Sequence, residues 1–186
     1  MESKHPKIFI ICGKARHGKD TIGGFIKDYY DKKNQKGLRL AYGDYIKNYA
    51  KAISGWDGNE ETKPRELLQK LGTDIIRNDL GSMFFVEKMC DDIKVYSYFM
   101  DYLYISDGRF HEEVDTPRDM FDNVIVIRVN RKNFVSPLTI EQQNHLTETA
   151  LDDYDNYDYV IDNSGTLDEL KDKVFKILEE VENHES

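Results

Sequence analysis

The sequence predicts an α/β protein whose parallel sheet of about five strands is covered by helices on both faces. Short apolar runs alternate with longer stretches that carry apolar residues at helical spacing. The apolar runs contain few polar residues, which is typical of strands that are buried on both faces. The chain of 186 residues suits one domain and shows no linker or repeat, so we treat 1–186 as a single domain.

The first predicted elements alternate as expected for such a fold. The run KIFIICG (7–13) is short, rich in β-branched residues and ends in glycine, so it predicts a buried strand. Helical spacing follows over about 19–33. The run LRLAYGD (38–44) predicts a second strand, and a helix follows over about 45–53. The polar segment 54–62 is rich in turn formers and predicts a loop.

Helices dominate the middle of the chain. A proline in the first turn opens a helix that RELLQKLGTDIIRNDL (65–80) continues. The stretch 84–102 predicts another helix, and YLYISDG (102–108) predicts a strand that ends in Asp and Gly. Residues 111–121 stay ambiguous because Pro117 interrupts any helix there.

The last third begins with VIVIRV (124–129), which is the clearest strand pattern in the chain. The elements that follow are a polar segment at 131–144, a short helix at 145–151, a strand at 157–163 and a closing helix at 167–181. Two capping boxes support the helix starts, namely Thr139 with Gln142 and Thr166 with Glu169.

Composition narrows the range of functions. The net charge of −9 argues against broad binding to nucleic acid or to an anionic membrane surface. No apolar run is long enough to cross a bilayer, and the run IFII lacks a following A-x-A-like cleavage site, so we expect a cytoplasmic protein. Cys12 is expected to be a buried thiol, and the five histidines show no metal-ligand spacing.

Residues 13–21 read GKARHGKDT, which nearly fits the phosphate-binding pattern G-x-x-x-x-G-K-[ST]. The part G-x-x-x-x-G-K arises by chance in roughly one chain in twenty of this length. The context favours a real phosphate loop, because a buried strand precedes it and an amphipathic helix follows. The alternative is a glycine-rich turn with a surface lysine. The predicted ATP-binding residues of the loop are Gly13, Lys14, Ala15, Arg16, His17, Gly18, Lys19, Asp20 and Thr21.

Asp20 stands where the pattern has Ser or Thr, whose hydroxyl normally binds Mg²⁺. A carboxylate is also a hard oxygen ligand, so we favour Asp20 as a residue that holds the metal directly or through water. In the alternative, Asp20 is a favourable acid in the first helical turn, and Thr21 has taken over the role of the hydroxyl.

The loop variant G-x-x-x-x-G-K-D-T resembles that of phage-type deoxynucleoside monophosphate kinases. Further stretches resemble the same family in the same order: YGDYIKNYA (42–50), KPRELLQKLGTDIIR (63–77), ISDGRFHEEVD (105–115), HLTE (145–148) and VIDNSGTLDEL (160–170). The resemblance implies a P-loop kinase fold, which is a three-layer α/β/α sandwich with a short lid, here at about 131–145. It also implies transfer of the γ-phosphoryl group of Mg-ATP to a deoxynucleoside monophosphate.

The sequence departs from this family in three places. The segment between Arg131 and His145 is short, so a small lid is expected. Thr147 stands in place of Ser, and Gly108 stands where a larger apolar residue is expected.

In this interpretation four residues are predicted to be catalytic: Lys19, Asp107, Arg109 and Arg131. Asp107 ends a strand at the carboxyl edge of the sheet, which suits an acid that contacts Mg²⁺. The alternative for Asp107 is a turn-forming residue. Arg109 follows at the cleft, or else pairs on the surface with Glu112 or Glu113. Arg131 enters the lid and is expected to close on the phosphates.

The acceptor side is predicted from two segments. Asp44 ends the second strand and is expected to orient the acceptor, with Lys47 one helical turn further on; the alternative is a simple helix N-cap. Arg65 and Arg77 are expected to hold the acceptor phosphate, and Gln69 to meet its base. The alternative is a solvated polar helix face.

Two pieces near the end of the chain complete the predicted site. Asn163 is expected to lie against the donor adenine, and His145 and Glu148 either pair at the hinge of the lid or form a surface pair without function.

Two other functions stay open. One is another small-molecule P-loop kinase, such as a dephospho-coenzyme A kinase or a phosphomevalonate kinase-like enzyme, which the LLQKLGT stretch disfavours. The other is a non-catalytic nucleotide-binding protein. The expected partners are small nucleotides, with no nucleic acid or membrane. A homodimer is left open, and a virus-encoded enzyme would work in the cytoplasm of its host.

Overall fold

The computed structural model describes residues 2–183, which form a five-stranded sheet. The strands are β1 Lys7–Cys12, β2 Gly37–Leu40, β3 Tyr102–Gly108, β4 Val124–Asn130 and β5 Tyr159–Asp162. Their order in the sheet is β2-β3-β1-β4-β5, and every neighbouring pair is parallel. The predicted parallel sheet of about five strands is confirmed.

Helices connect the strands. They are α1 Lys19–Asp31, α2 Tyr42–Ser54, α3 Arg65–Gln69, α4 Phe84–Tyr96, α5 His111–Met120, α6 Ile140–Gln143, α7 Leu146–Thr149 and α8 Leu167–Asn183. A π-helical segment, Lys70–Leu80, continues α3. Both predicted capping boxes are present, at Thr139 with Gln142 and at Thr166 with Glu169.

The sheet separates two apolar cores. On β1, Ile8 and Ile10 face a cluster that includes residues of α4, whereas Phe9 and Ile11 face a cluster built by α1 and α8. This alternation follows from the two-residue period of a strand and buries both faces of β1. The three-layer arrangement predicted for the chain is confirmed.

The register places three loops at one edge of the sheet. Cys12, the last residue of β1, is opposite Gly108 of β3 and opposite Arg128 of β4. Because all strands are parallel, the segments that follow β1, β3 and β4 begin side by side. In open α/β sheets this edge is where ligands bind.

The second strand is shorter than its sequence predicts. It ends at Leu40, and α2 begins at Tyr42, so Asp44 lies in the first turn of α2 and not at a strand end. The N-cap position is taken by Ala41, so the alternative of Asp44 as N-cap is also wrong. The carboxylate of Asp107 accepts the N–H groups of Tyr42 and Gly43, both at 2.9 Å. This contact from a distant strand favours the early helix start.

The ambiguous stretch 111–121 is mostly helical despite Pro117, which lies inside α5. Proline has no N–H to donate to the carbonyl four residues earlier, which belongs to Glu113. The buried hydroxyl of Tyr42 donates to that carbonyl at 3.1 Å instead. A side chain from α2 thus replaces the hydrogen bond that Pro117 cannot make.

The helix predicted over 84–102 ends at Tyr96, because the chain turns before β3. The carboxylate of Asp101 accepts the N–H of Lys36 at 2.7 Å and so aligns the start of β3 beside β2.

Cys12 and Cys90 are free and buried, as expected for Cys12, and burial raises the pKa of the Cys12 thiol to about 12. Within residues 2–183, no helix combines the length and apolar character that a membrane span requires.

Candidate active site

The loop between β1 and α1 depends on two glycines. Gly13 and Gly18 have positive φ angles of 155° and 107°. A Cβ atom on Gly13 would lie 2.7 Å from the carbonyl oxygen of Val129, and one on Gly18 would lie 2.5 Å from the side-chain nitrogen of Asn163. Both positions therefore require glycine. The loop leads directly into the N-terminus of α1, an arrangement suited to binding phosphate.

Lys19 lies buried inside this loop. Its Nζ atom donates to the carbonyl oxygens of Gly13 at 2.7 Å and of Lys14 at 2.9 Å. Burial, followed by the positive charge of Arg109, lowers the pKa of Lys19 to about 8. An anion held by the loop would stabilise the charged form of this lysine.

Glu148 of α7 connects Arg109 to the phosphate loop. Its Oε2 atom accepts the N–H of Ala15 at 2.7 Å, and its Oε1 atom pairs with the guanidinium of Arg109. Arg109 also donates to the carbonyl of Thr147 at 3.0 Å. The guanidinium of Arg109 therefore pairs with Glu148, and not with Glu112 or Glu113 as the alternative prediction had it.

The expected pair of His145 and Glu148 side chains is wrong. The Nδ1 atom of His145 lies 2.9 Å from the hydroxyl of Thr147, and His145 acts as the N-cap of α7. Glu148 is thereby left to face the loop.

The candidate metal residues are Asp20, Thr21 and Asp107. Asp20 is exposed in the first turn of α1, and Thr21 beside it is half-buried. Both oxygens of Asp107 hold the start of α2, and burial raises the pKa of this carboxyl. In the described part of the chain, no group of three His, Cys, Asp or Glu side chains is placed to hold a metal.

The segment after β4, which is predicted to be the lid, faces the loop. A cavity of about 400 Å³ lies between them, lined by Lys14 and His17 of the loop and by Arg131 and Phe134 of the lid. The guanidinium of Arg131 lies 4.8 Å from the centre of the Phe134 ring, and that ring meets His17 edge-on. Arg131 is thus brought to the cavity.

Asn163, which was predicted to contact the donor adenine, lies next to the loop. Its side-chain nitrogen donates to the carbonyl of His17 at 2.9 Å. The observed contact supports the loop backbone.

A second cluster surrounds Arg77. Its guanidinium stacks on the ring of Phe110 at 3.3 Å, and it pairs with Glu112 at 2.6 Å. Glu113 is buried and accepts the N–H groups of Arg109 at 2.8 Å and of Phe110 at 3.2 Å. Burial raises the pKa of Glu113 to about 8. Arg77 is thus anchored to RFHEE (109–113), the segment that begins with Arg109.

The carboxylate of Asp44, in the first turn of α2, forms ion pairs with Lys47 of α2 and with Arg39 of β2. Lys47 lies 2.7 Å and Arg39 lies 2.9 Å from its carboxylate, and Arg39 also donates to the hydroxyl of Ser106 at 3.0 Å. Lys47 is one helical turn beyond Asp44, as predicted. Arg39 had no sequence signal of its own, because a single arginine within an apolar strand pattern is common.

Arg65 and Gln69 share α3 but lie exposed. The Arg65 side chain is 77% exposed and pairs with Glu60 at 3.3 Å. Neither side chain belongs to the cluster of Arg77, which is held by Phe110 and Glu112. The roles of Arg65 and Gln69 in substrate binding stay predictions.

The strand order and the phosphate loop after the central strand define a P-loop kinase fold. Two solved structures are similar to this chain. An APS kinase from Mycobacterium tuberculosis is 13% identical, with 94% of this chain and 97% of that one covered and a TM-score of 0.52. A dephospho-CoA kinase from Campylobacter jejuni is 12% identical, with 95% and 98% covered and a TM-score of 0.53. At these identities the likeness concerns the fold alone.

The chain belongs to the deoxynucleotide monophosphate kinase family, whose model matches residues 44–174. The deoxynucleotide monophosphate kinase of Enterobacteria phage T4 is 34% identical over 116 residues, which is 61% of this chain and 44% of that protein. The protein of the same name from Escherichia phage RB69 is 34% identical over 121 residues, which is 64% and 46%. The chain spans about half the length of these curated relatives. The family resemblance of the sequence motifs is confirmed.

Proposed function

We propose that this chain transfers the γ-phosphoryl group of Mg-ATP to a deoxynucleoside monophosphate, giving the diphosphate and ADP. The observation that carries the proposal is the link, through Glu148, between Arg109 and the loop that contains Lys19. Lys19 and Arg109 therefore lie beside the loop that is proposed to bind phosphate, in a chain of the deoxynucleotide monophosphate kinase family.

The loop and the lid form the donor side of the site. The loop N–H groups and the N-terminus of α1 bind the phosphates of ATP, and Lys19 neutralises the β- and γ-phosphates. Arg131 closes on the phosphates from the lid. Asn163 supports the loop and contacts the adenine.

The transfer itself needs little covalent help from the protein. The acceptor phosphate is already anionic, so no strong general base is required. The site must hold two polyanions in line and neutralise the charge of the moving phosphoryl group. Arg109 suits this task because its forked donors match phosphate oxygens, and because Glu148 fixes its position.

Asp20 and Asp107 are the residues proposed to hold Mg²⁺ or its bound water, with Thr21 as the alternative to Asp20. When bound, Mg²⁺ would neutralise phosphate charge and orient the phosphate oxygens.

The acceptor binds on the side of Arg77. Arg77 is held by Phe110 and Glu112 and contacts the acceptor phosphate. Lys47 and Asp44 lie at the start of α2 and orient the acceptor. Arg65 and Gln69 are proposed to reach the nucleotide from α3.

The curated relatives are encoded by phages. We therefore place the reaction in the cytoplasm of a bacterial host.

The test is ADP production from Mg-ATP with dTMP, dGMP, dCMP, dAMP and AMP, supplied one at a time. We expect rapid, acceptor-dependent ADP release with at least one deoxynucleotide. A reaction without acceptor measures background hydrolysis, and dephospho-coenzyme A tests the rival kinase reaction. ATP binding without turnover of any deoxynucleotide would overturn the proposal.

A further inference from the structure

The side chain of Glu148 lies between the phosphate loop and Arg109. It is only 8% exposed, although it lies on α7, a helix of four residues in the segment that follows the lid. Each of its two oxygens has a different partner: Oε2 accepts the N–H of Ala15, and Oε1 pairs with Arg109. One carboxylate therefore fixes the position of a guanidinium relative to the phosphate loop.

We propose that Glu148 is a positioning residue, which holds Arg109 against the phosphate loop so that the guanidinium meets the transferring phosphoryl group. This inference rests on the proposed kinase function. Glu148 touches neither nucleotide in this scheme, and it acts through Arg109.

The electrostatics of the loop show why Arg109 needs such a partner. Burial lowers the pKa of Lys19, and the charge of Arg109 is the next cause, whereas Glu148 acts in the opposite direction. Two cations that are held close together repel each other, more strongly in a site with little water. Glu148 offsets this repulsion before any phosphate arrives, so Arg109 does not have to reorganise during the reaction.

The substitution Glu148→Gln separates the two contacts. The amide oxygen of glutamine can still accept the N–H of Ala15, while its NH₂ group would face the donors of Arg109. The variant thus keeps the support of the loop and loses the arginine pair. Glu179→Gln is the matched control, since Glu179 is exposed on α8, outside the proposed site, and its substitution removes the same charge.

The kinetic experiment compares wild type, E148Q, E179Q, R109A and the double variant R109A/E148Q. We expect the kcat of E148Q to fall about 10- to 100-fold, as for a displaced catalytic group, with the Kd of Mg-ATP changed less than about threefold. In the R109A background, E148Q should lower kcat less than about twofold further, because the residue that it positions is gone.

Three results would overturn the positioning role. The kcat of E148Q could equal that of E179Q, or the effects of R109A and E148Q could multiply. As a third result, E148Q could both weaken Mg-ATP binding and lower the Tm, which would indicate general damage to the loop.

A second readout does not depend on turnover. The Nε–Hε NMR signal of Arg109, assigned by its loss in R109A, should indicate a rigid side chain in wild type and E179Q and a mobile one in E148Q. If wild type turned over no deoxynucleotide, the proposed function would fail, while this signal would still test Glu148. An equally rigid Arg109 in E148Q would contradict the positioning role.

Discussion

The hydroxyl of Tyr42 donates a hydrogen bond to the backbone carbonyl of Glu113, 3.1 Å away in the core. That carbonyl lacks its usual helical donor because residue 117 is proline. The contact joins the start of α2 to α5, the two helices that flank Asp107. An irregular helix beside the site is therefore stabilised by a residue distant in sequence.

Replacing Tyr42 with Phe should destabilise the protein by about 1–3 kcal/mol, since a buried carbonyl loses its donor. Replacing Pro117 with Ala supplies a backbone N–H for the same carbonyl. Y42F should therefore cost less stability in the P117A background than in wild type, as measured by urea unfolding. Equal costs in both backgrounds would show that the carbonyl of Glu113 is not the relevant partner.

Much of the fold could be predicted from local sequence patterns. The runs KIFIIC and VIVIRV are strands, and the capping boxes at Thr139 and Thr166 start helices as expected. The errors lie where a distant residue decides the local structure. The local pattern of Tyr42–Asp44 predicts a strand, but the carboxylate of Asp107 accepts the N–H of Tyr42 and favours a helix start there. The hydroxyl of Tyr42 in turn replaces the hydrogen bond that Pro117 cannot make within α5.

Lys19→Ala should reduce acceptor-dependent ADP production by at least about 100-fold, because the loop loses its cation for the β- and γ-phosphates. The fold should persist, since Lys19 donates mainly to the carbonyl oxygens of its own loop. Circular dichroism and thermal unfolding check the fold. Retained turnover in K19A would refute the role assigned to the loop.

Asp20→Ser restores the usual loop pattern and should keep at least part of the activity if Asp20 serves the metal. Thr21→Ala is the comparison, because Thr21 is the alternative hydroxyl. The dependence of turnover on Mg²⁺ concentration should shift in the Asp20 variant and stay unchanged in the Thr21 variant. If D20S were inactive while T21A kept normal activity, the carboxylate of Asp20 would have a role that a hydroxyl ligand for the metal cannot replace.

Glu113 should make stability depend on pH. Burial raises its pKa in the folded protein to about 8, above the value of about 4.5 in the unfolded chain. Between these values the folded state holds a proton that the unfolded state has released, so the free energy of unfolding falls as pH rises. Below the lower value this contribution is complete, and above about 8 it has been lost.

The measurement for Glu113 is urea unfolding of wild type and E113Q from pH 4 to pH 9. The stability of wild type relative to E113Q should decline across the window and then level off. A constant difference between the two proteins would mean that Glu113 is ionised in the fold throughout.

Arg77→Ala should raise the KM for the deoxynucleotide at least about tenfold, because a fixed arginine that binds a phosphate is worth about 1.5–3 kcal/mol. The Kd of Mg-ATP should stay the same, since Arg77 belongs to the cluster of Phe110 and Glu112. Arg118→Ala is the control, as Arg118 pairs with Asp158. A KM in R77A equal to that of R118A would remove Arg77 from the acceptor site.

The site was predictable to the extent that its residues lie in contiguous motifs. The loop glycines and Lys19 follow from GKARHGKDT, and Asp107, Arg109 and Glu113 all lie within the segment ISDGRFHEEVD. Contacts between residues distant in sequence were not predictable. The sequence around Glu148 does not indicate that its side chain contacts Ala15 and Arg109 instead of His145. Stacking of Arg77 on Phe110 also depends on how two separate segments pack.

The central place of β1 has a consequence for biosynthesis. Lys7 pairs with Tyr102, and Ile8 pairs with Val124, so neither neighbour of β1 exists when this strand leaves the ribosome. At roughly 5–20 residues per second, the gap to β3 takes about 5–20 seconds to synthesise. During that time the apolar run KIFIIC has no strand to join. We expect nascent-chain chaperones to bind this run first, and the phosphate loop to form only after most of the chain has been made.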